Sequence, residues 1–328
     1  MDDDARNLEE IRALMDRAAE RSKEGKGTES NEALLEALEV CNQRHGAFHS
    51  RTHTVQTVLA FNYRAQGRYK DSESLDKEVL DRRQELLGDD HPETAISMNN
   101  LALDLKGQGR IDEALDLEVT ALDTMVRVVG EESQLTMTSM NNLANSYANH
   151  SRFREAAELH ERILRLYRSK LRSDDSRIYA AMDLLGVDYR NLGQVSRAVE
   201  LQEKAVQEAN THLGGSDQTT IKCMINLADS HQERNNAEGK ARAVSLLEDA
   251  IHALPAEEEE DTPLTIGVKN NLAVAYTKVG RMQDARPLLV ACHEWNKRVL
   301  GEDSPRTQAS SRNLAWILEE LGETLMGE

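Results

Sequence analysis

The sequence predicts an all-α fold, a solenoid of helix hairpins, and three observations carry that prediction. Its 328 residues include only 5 Pro and 4% aromatics, while Ala, Leu, Glu, Arg and Gln abound, a composition that favours helices over aromatic-centred sheets. The chain repeats itself every 42 residues from His49 onward, which is the mark of stacked supersecondary units rather than of one large core. Charged residues make up 30% of the chain, enough to coat the long surface that such a stack exposes.

The elements follow in chain order. DARNLEEIRALMDRAAERSKEG and SNEALLEALEVCNQRHG read as the two helices of a degenerate first pair within residues 1–48. Regular blocks then start at His49, His91, Ser133, Asp175, Asp217, Thr262 and Ser304, in steps of 42 except for one of 45. Ten residues into each block stands a Leu followed by a small residue: Leu59-Ala60, Leu101-Ala102, Leu143-Ala144, Leu185-Gly186, Leu227-Ala228, Leu272-Ala273 and Leu314-Ala315. About one helical turn later comes Tyr63, Leu105, Tyr147, Tyr189, His231, Tyr276 or Leu318, which places Leu, Ala and Tyr on one helical stripe. Gly67-Arg68, Gly109-Arg110, Ser151-Arg152, Gly193-Gln194 and Gly280-Arg281 then break the helix, and glycine suits the left-handed residue that ends one. A second helix opens on a small residue, Ser72, Ala114, Ala156, Ala198, Ala243 or Ala285, with Leu three positions on. The three-residue excess of the fifth block is expected at the turn in QERNNAEGKARA, where insertions are cheapest. The last block holds only a first helix, expected to close the end of the stack.

Composition also excludes functions. With 40 basic and 58 acidic residues the net charge is −18, against binding of nucleic acid or an anionic membrane over a broad surface. Cys41, Cys223 and Cys292 form no CxxC and have no His at metal-ligand spacing, so neither a metal nor a disulfide framework is expected, and the thiols read as the reduced cysteines of a cytoplasmic protein. MDDDARNLEE has no apolar signal core, and no stretch reaches the ~18 apolar residues of a membrane span. GxGxxG, P-loop, HExxH and GxSxG motifs are absent, leaving no cofactor to expect and no catalytic residue to name. His231 in LADSHQER reads as a packed residue in the tyrosine's place.

The Leu-Ala, Tyr, Gly-Arg and Ala pattern resembles that of tetratricopeptide repeats. Its 42-residue period, with HPETAISMNNLALDLKGQGRIDEALDL as a sample, is similar to the kinesin light chain subtype, whereas the usual period is about 34. The resemblance covers residues 49–323 and implies a right-handed α-solenoid with a concave groove. It divides the chain into a degenerate cap at 1–48, six repeats of 42–45 residues at 49–303, and a capping helix at 304–328. No heptad coiled coil precedes the repeats, so the resemblance implies the repeat type and not a motor role.

In this family the first helices line the groove, with ligand-facing positions two, five, six, nine and twelve when the Leu is position seven. Carried over, these include Asn99, Asn100, Asn141, Asn142, Asn226, Asn270, Asn271 and Asn313, and at position nine Asn145 and Trp316. Asn is a mediocre helix former, so its recurrence needs a reason. Its amide can hold the backbone of an extended peptide, or it can brace neighbouring helices, and both readings stand. Basic Arg64, Lys106, Arg190, Lys222 and Arg312 face acidic Asp183, Asp229 and Glu319, with Lys278 bordering the strip. That surplus of positive charge in an acidic chain favours a protein ligand carrying Asp or Glu. No three consecutive repeats carry the family's clamp for a peptide carboxy terminus. The run AEEEEDTP, residues 256–263, is expected as a solvated loop, or as a segment lying across the groove.

The expected function is a non-catalytic scaffold binding a peptide segment, acidic by this charge balance. The alternatives are an enzyme holding a small molecule near Asp183, Tyr189, Arg190 and Asp229, or a regulatory or sensor module of a signalling system.

Overall fold

The computed structural model describes residues 3–254 and 261–322, and every regular element among them is an α-helix. The chain divides into two compact units, Met1–Asn149 and His150–Glu328. The first holds α1 (Asp3–Lys23), α2 (Gly27–His45), α3 (Ser50–Ala65), α4 (Tyr69–Leu87), α5 (Pro92–Gly107), α6 (Ile111–Val129) and α7 (Gln134–Asn149). The second holds α8 (Phe153–Lys170), α9 (Ser176–Asn191), α10 (Val195–His212), α11 (Gln218–Glu233), α12 (Ala237–Ala253), α13 (Pro263–Lys278), α14 (Met282–Leu300) and α15 (Pro305–Glu320). Within each unit a helix packs chiefly on the helices before and after it in the chain, the contact pattern of an α-solenoid. None of the described helices is long and apolar enough to cross a membrane.

Local chemistry sets the helix boundaries. The block starts read from the sequence are the N-caps of the first helices. His49, His91, Asp175 and Asp217 accept a hydrogen bond from the backbone N–H two residues on, and Thr262 from that of Thr265, satisfying an otherwise orphaned donor. Thr52, Thr94, Thr136 and Thr307 then donate back to the carbonyls of Gly46, Gly88, Gly130 and Gly301 at 2.6–2.8 Å. Each ties the entry of a first helix to the exit of the second helix before it. At the hairpin turns Gly67, Gly109, Gly193 and Gly280 hold φ of 72–79°, and the N–H of the next residue reaches the carbonyl five positions back, as in Arg68 to Tyr63 at 2.9 Å. The following arginine lies over the tyrosine: Arg68 over Tyr63 and Arg281 over Tyr276, both at 4.1 Å. Gln194 occupies that place in the fourth block, and Arg197 covers Tyr189 instead, at 3.9 Å.

The core is a chain of small clusters. Ile11, Leu14 and Ala18 of α1 pack with Leu34 and Ala37 of α2 and Leu59 of α3, so the degenerate first pair shares its core with the first regular block. In the second unit Leu227, Ala228, Ala243, Leu272, Ala273, Leu314 and Ile317 belong to one cluster. Cys41, Cys223 and Cys292 are buried and unpaired, and burial raises all three thiols, Cys292 to about 11, which keeps them protonated and inert.

The extra residues of the fifth block lie elsewhere than expected. The turn between α11 and α12 has the same three-residue length as the others, and Ala243 is the seventh residue of α12 whereas Ala198 is the fourth of α10. The insertion therefore extends α12 at its start. Asn236 caps that added turn by accepting from Gly239 N–H at 2.7 Å, and three residues of a 3.6-residue turn keep the apolar face almost in register.

Gly107, at the end of α5, meets α4 closely: a Cβ there would fall inside the van der Waals surface of the Tyr69 ring. Gly107→Ala is expected to cost about 1–3 kcal/mol by overpacking. Denaturant unfolding checks this, and an unchanged midpoint would mean that Tyr69 swings aside freely.

Candidate functional site

The first helices bring the selected side chains into two different environments. At position twelve the cations are enclosed in clasps between successive hairpins. Arg64 of α3 donates to Asp76 of α4 at 2.5 Å and to Asp104 of α5 at 2.7 Å, and its side chain is only 17% exposed. Lys106 of α5 donates to Glu118 of α6 at 2.6 Å and to Ser146 of α7 at 2.7 Å. Arg190 of α9 donates to the Asn226 carbonyl of α11 at 3.2 Å and lies 3.9 Å from Asp229. The count of basic against acidic groove positions leaves out Asp76, Asp104 and Glu118, because two of them lie on second helices and one on a buried first-helix position. These three carboxylates neutralise Arg64 and Lys106.

The remaining cations differ. Lys222 of α11, Lys278 of α13 and Arg312 of α15 are exposed, and none has a salt bridge among the described residues. The charge of Lys278 reaches Asp229, whose carboxyl burial nonetheless raises above its ordinary range. Asp183 of α9 is 5% exposed and accepts from Asn226 at 2.6 Å and from Gln202 at 3.3 Å. Burial pushes it up to about 7 against those donors.

The asparagines divide in the same way. Asn99 donates to Ser139 of α7 at 3.3 Å, Asn141 to the Met137 carbonyl one turn back at 3.1 Å, and Asn226 to Asp183, so Asn99 and Asn226 brace neighbouring hairpins. The side chains of Asn100, Asn142, Asn145, Asn270, Asn271 and Asn313 make no hydrogen bond among the described residues. Asn270 and Asn313 line a cleft of about 290 Å³ between α13, α14 and α15. Trp316, 45% exposed, borders a second recess of about 210 Å³ with Val274, Lys278 and Ile317.

Of the residues named for an enzyme, Asp183, Arg190 and Asp229 lie together, Arg190 3.9 Å from Asp229 and both charges reaching Asp183, whereas Tyr189 does not join them. The Tyr189 hydroxyl donates to Glu161 of α8 at 2.5 Å beneath Arg197, apart from Asp183 and its donors Asn226 and Gln202. His231 is 4% exposed, and burial holds its imidazole below the usual range, as expected of a packed neutral histidine. Among the described residues no group of three His, Cys, Asp or Glu side chains can hold a metal. Of the acidic run 256–261, residues 256–260 lie outside the described residues. Asp261 bonds Lys269 at 2.6 Å, and its carbonyl accepts from Trp295 at 2.7 Å.

One ladder escapes a reading confined to first helices. Asp76, Glu118, His160 and Gln202 recur every 42 residues on second helices, each at most 1% exposed. Within its own unit each belongs to a clasp that includes a polar first-helix residue 28 positions on: Asp104 and Ser146 through the shared Arg64 and Lys106, Asp188 with His160 at 2.6 Å, and Ser230 with Gln202 at 2.6 Å. The signal is in the sequence, as a polar residue repeating where an apolar face should run.

Family models of the tetratricopeptide repeat match residues 51–125 and 264–325, and 136–175 and 180–218, together more than half of the chain. Over 80 residues the chain is 39% identical to Protein KINESIN LIGHT CHAIN-RELATED 3 of Arabidopsis thaliana, a match spanning 24% of this chain and 12% of that protein. A crystal structure of kinesin light chain TPR-like repeats from Podosopora anserina is similar at 25% identity and a TM-score of 0.56, covering 60% of this chain and 92% of that one. The quorum sensor NprR of B. thuringiensis is similar in fold, at 15% identity and a TM-score of 0.59, covering 99% of this chain and 84% of that one. A signal transduction ATPase with a tetratricopeptide repeat sensor from Pyrococcus horikoshii has a TM-score of 0.63 at 15% identity, covering 94% and 44%.

Proposed function

The chain belongs to the tetratricopeptide repeat family, in its kinesin light chain-like form, and from that premise we propose that it is a non-catalytic scaffold whose second unit binds an acidic peptide segment of a partner protein. The site is the exposed face of α11, α13 and α15. One observation carries this reading: Lys222, Lys278 and Arg312 stand exposed there without salt bridges among the described residues, while Arg64 and Lys106 are enclosed against buried carboxylates. Asn270, Asn271 and Asn313 add amide donors and acceptors for a peptide backbone. Against Asp229 and Glu319 on the same helices, these three cations leave a small positive surplus on an acidic chain, which speeds encounter with an acidic segment and discriminates against basic ones. The same balance disfavours nucleic acid and membrane as partners, and a cytoplasmic location suits three reduced thiols. In this reading residues 49–303 form the six repeats, closed by 1–48 and 304–328.

The test is titration of the whole chain with fluorescein-labelled acidic peptides, read by polarisation at two salt concentrations. Lys222→Glu with Arg312→Glu should weaken binding roughly tenfold or more, and added salt should weaken the parent likewise. Binding indifferent to both, or absent across a broad acidic library, would end the proposal.

A further inference from the structure

One position of the second helices recurs as Arg83, Met125, Tyr167, Ala209, Leu254 and Asn296, in steps of 42 except for one of 45. Met125, Tyr167 and Ala209 are buried there. Arg83 of α4 is polar and satisfied: it donates to the Ser97 hydroxyl at 2.8 Å and the Glu93 carbonyl at 3.1 Å, and pairs with the Glu93 carboxylate at 2.9 Å. Asn296 of α14 has the matching neighbours on α15, Ser310 in the place of Ser97 and Arg306 in that of Glu93. Its side chain nevertheless makes no hydrogen bond among the described residues, although Asn296 is only 8% exposed. A buried amide left without a partner is costly, and native structures seldom keep one that nothing outside the protein satisfies.

Asn296 opens onto a space. With Ser310, Arg306, Asn270 and Asn313 it lines the cleft of about 290 Å³ between α13, α14 and α15. Ile266, Cys292 and Trp295 supply the apolar wall. The Trp295 indole is fixed by its bond to the Asp261 carbonyl at 2.7 Å, so the wall stands formed in the free protein. Arg306 is exposed at the rim, with no salt bridge among the described residues. In the joint of α4 and α5 a buried cation meets an anion at the rim. Between α14 and α15 the rim holds the cation and the floor a neutral amide, with room between them for about ten water-sized groups.

We propose that this cleft is a binding site for a small organic acid that also carries an amide, its carboxylate on Arg306 and its amide edge on Asn296. A guanidinium takes a carboxylate through two parallel hydrogen bonds. An asparagine offers a donor beside an acceptor, the complement of an amide edge. Asn270 and Asn313 have unbonded amides for further polar atoms, and Ile266 and Trp295 flank the ligand's apolar body. The volume lies at the lower limit of small-molecule pockets, about 300–1,000 Å³, which suits a metabolite-sized molecule. Such a ligand is of a different class from the peptide proposed above, and its test uses no peptide.

The experiment is calorimetric titration of the whole chain. Orotate, pyroglutamate and N-acetylglycine carry both groups, benzoate lacks the amide, and uracil lacks the carboxylate. At least one of the first three should bind with a Kd below about 1 mM, and roughly tenfold or more tighter than either single-group probe. Arg306→Gln, at an exposed position, should keep the melting temperature and remove the advantage of the acid over uracil. Asn296→Met puts into α14 the residue that α6 carries at this place. It fills the cleft and removes the unpaired amide, so the melting temperature should hold or rise while acid binding is lost. Arg298→Gln removes a cation of α14 that does not line the cleft, and should leave the affinity unchanged. The site is overturned if none of the three acids binds, as for a cleft that holds only water, or if benzoate or uracil binds equally well. Affinity that survives Asn296→Met, or that falls with Arg298→Gln, overturns it too. The peptide titration described above stands or fails separately from each of these results.

Discussion

Arg64→Met should destabilise the first unit by about 3–5 kcal/mol, the usual cost of removing one partner from a buried ion pair. Its guanidinium is the cation bonded to Asp76 and Asp104, which are 1% and 0% exposed. Burial pushes the Asp76 carboxyl up to about 7, the Asp104 charge adds to that rise, and Arg64 opposes it. Without Arg64 the two carboxylates repel each other across the α3–α4–α5 joint, or one must hold a proton at neutral pH. Adding Asp104→Asn to Arg64→Met should recover a large part of the loss, because it removes the repulsion that the first change exposed. A double-mutant cycle by denaturant unfolding measures this. A loss below about 1 kcal/mol would make Arg64 an ordinary surface cation, free for a ligand as its helix position suggests.

The second large effect is a pH dependence at Asp183. Its carboxyl titrates near 3.8 when unfolded and, under the burial that dominates its surroundings, at about 7 when folded. The protonated form is thus the one the fold favours. The contribution of this group to stability is fully present below pH 3.8 and is lost as pH rises through about 7, where folding must bury a charge. An amide at this position cannot ionise. Asp183→Asn should therefore gain roughly 2–3 kcal/mol on the parent between pH 5 and pH 8, at about 1.4 kcal/mol per pH unit of divergence. Urea unfolding of both proteins at those two pH values checks the difference. Parallel profiles would mean that the donors Asn226 and Gln202 keep the buried carboxylate ionised throughout. Either result concerns the stability of the α9–α11 joint, since Asp183 is enclosed by its own hydrogen bonds.

Both predictions turn on residues whose sequence position and spatial position disagree. Helix periodicity places Arg64, Lys106 and Arg190 on the ligand-facing strip. Their long side chains instead curl back to carboxylates, a hydroxyl or a carbonyl on the neighbouring helices. Asp183 is a groove position by count, but the amides of Asn226 and Gln202 enclose it. Periodicity gives the direction of a Cβ. It does not give the rotamer of a side chain with three or four further bonds, and that rotamer follows the nearest opposite charge in a poorly solvated joint.

By itself the sequence determined the all-α fold, the hairpin, its boundaries and its repeat type. Those depend on short-range rules: Leu and a small residue on one stripe, a His, Asp, Ser or Thr at the start of each block, and a glycine at most of the turns. Each acts within a few residues and recurs, so repetition lifts it above chance. Only the tertiary structure decided which cations remain exposed, and which asparagines brace hairpins and which line clefts. Those outcomes depend on partners 12 to 43 residues away, such as Asp76 for Arg64 and Asp183 for Asn226. A charge or an amide becomes a brace or a binding group according to what burial places opposite it, and that pairing exists only once the hairpins are stacked.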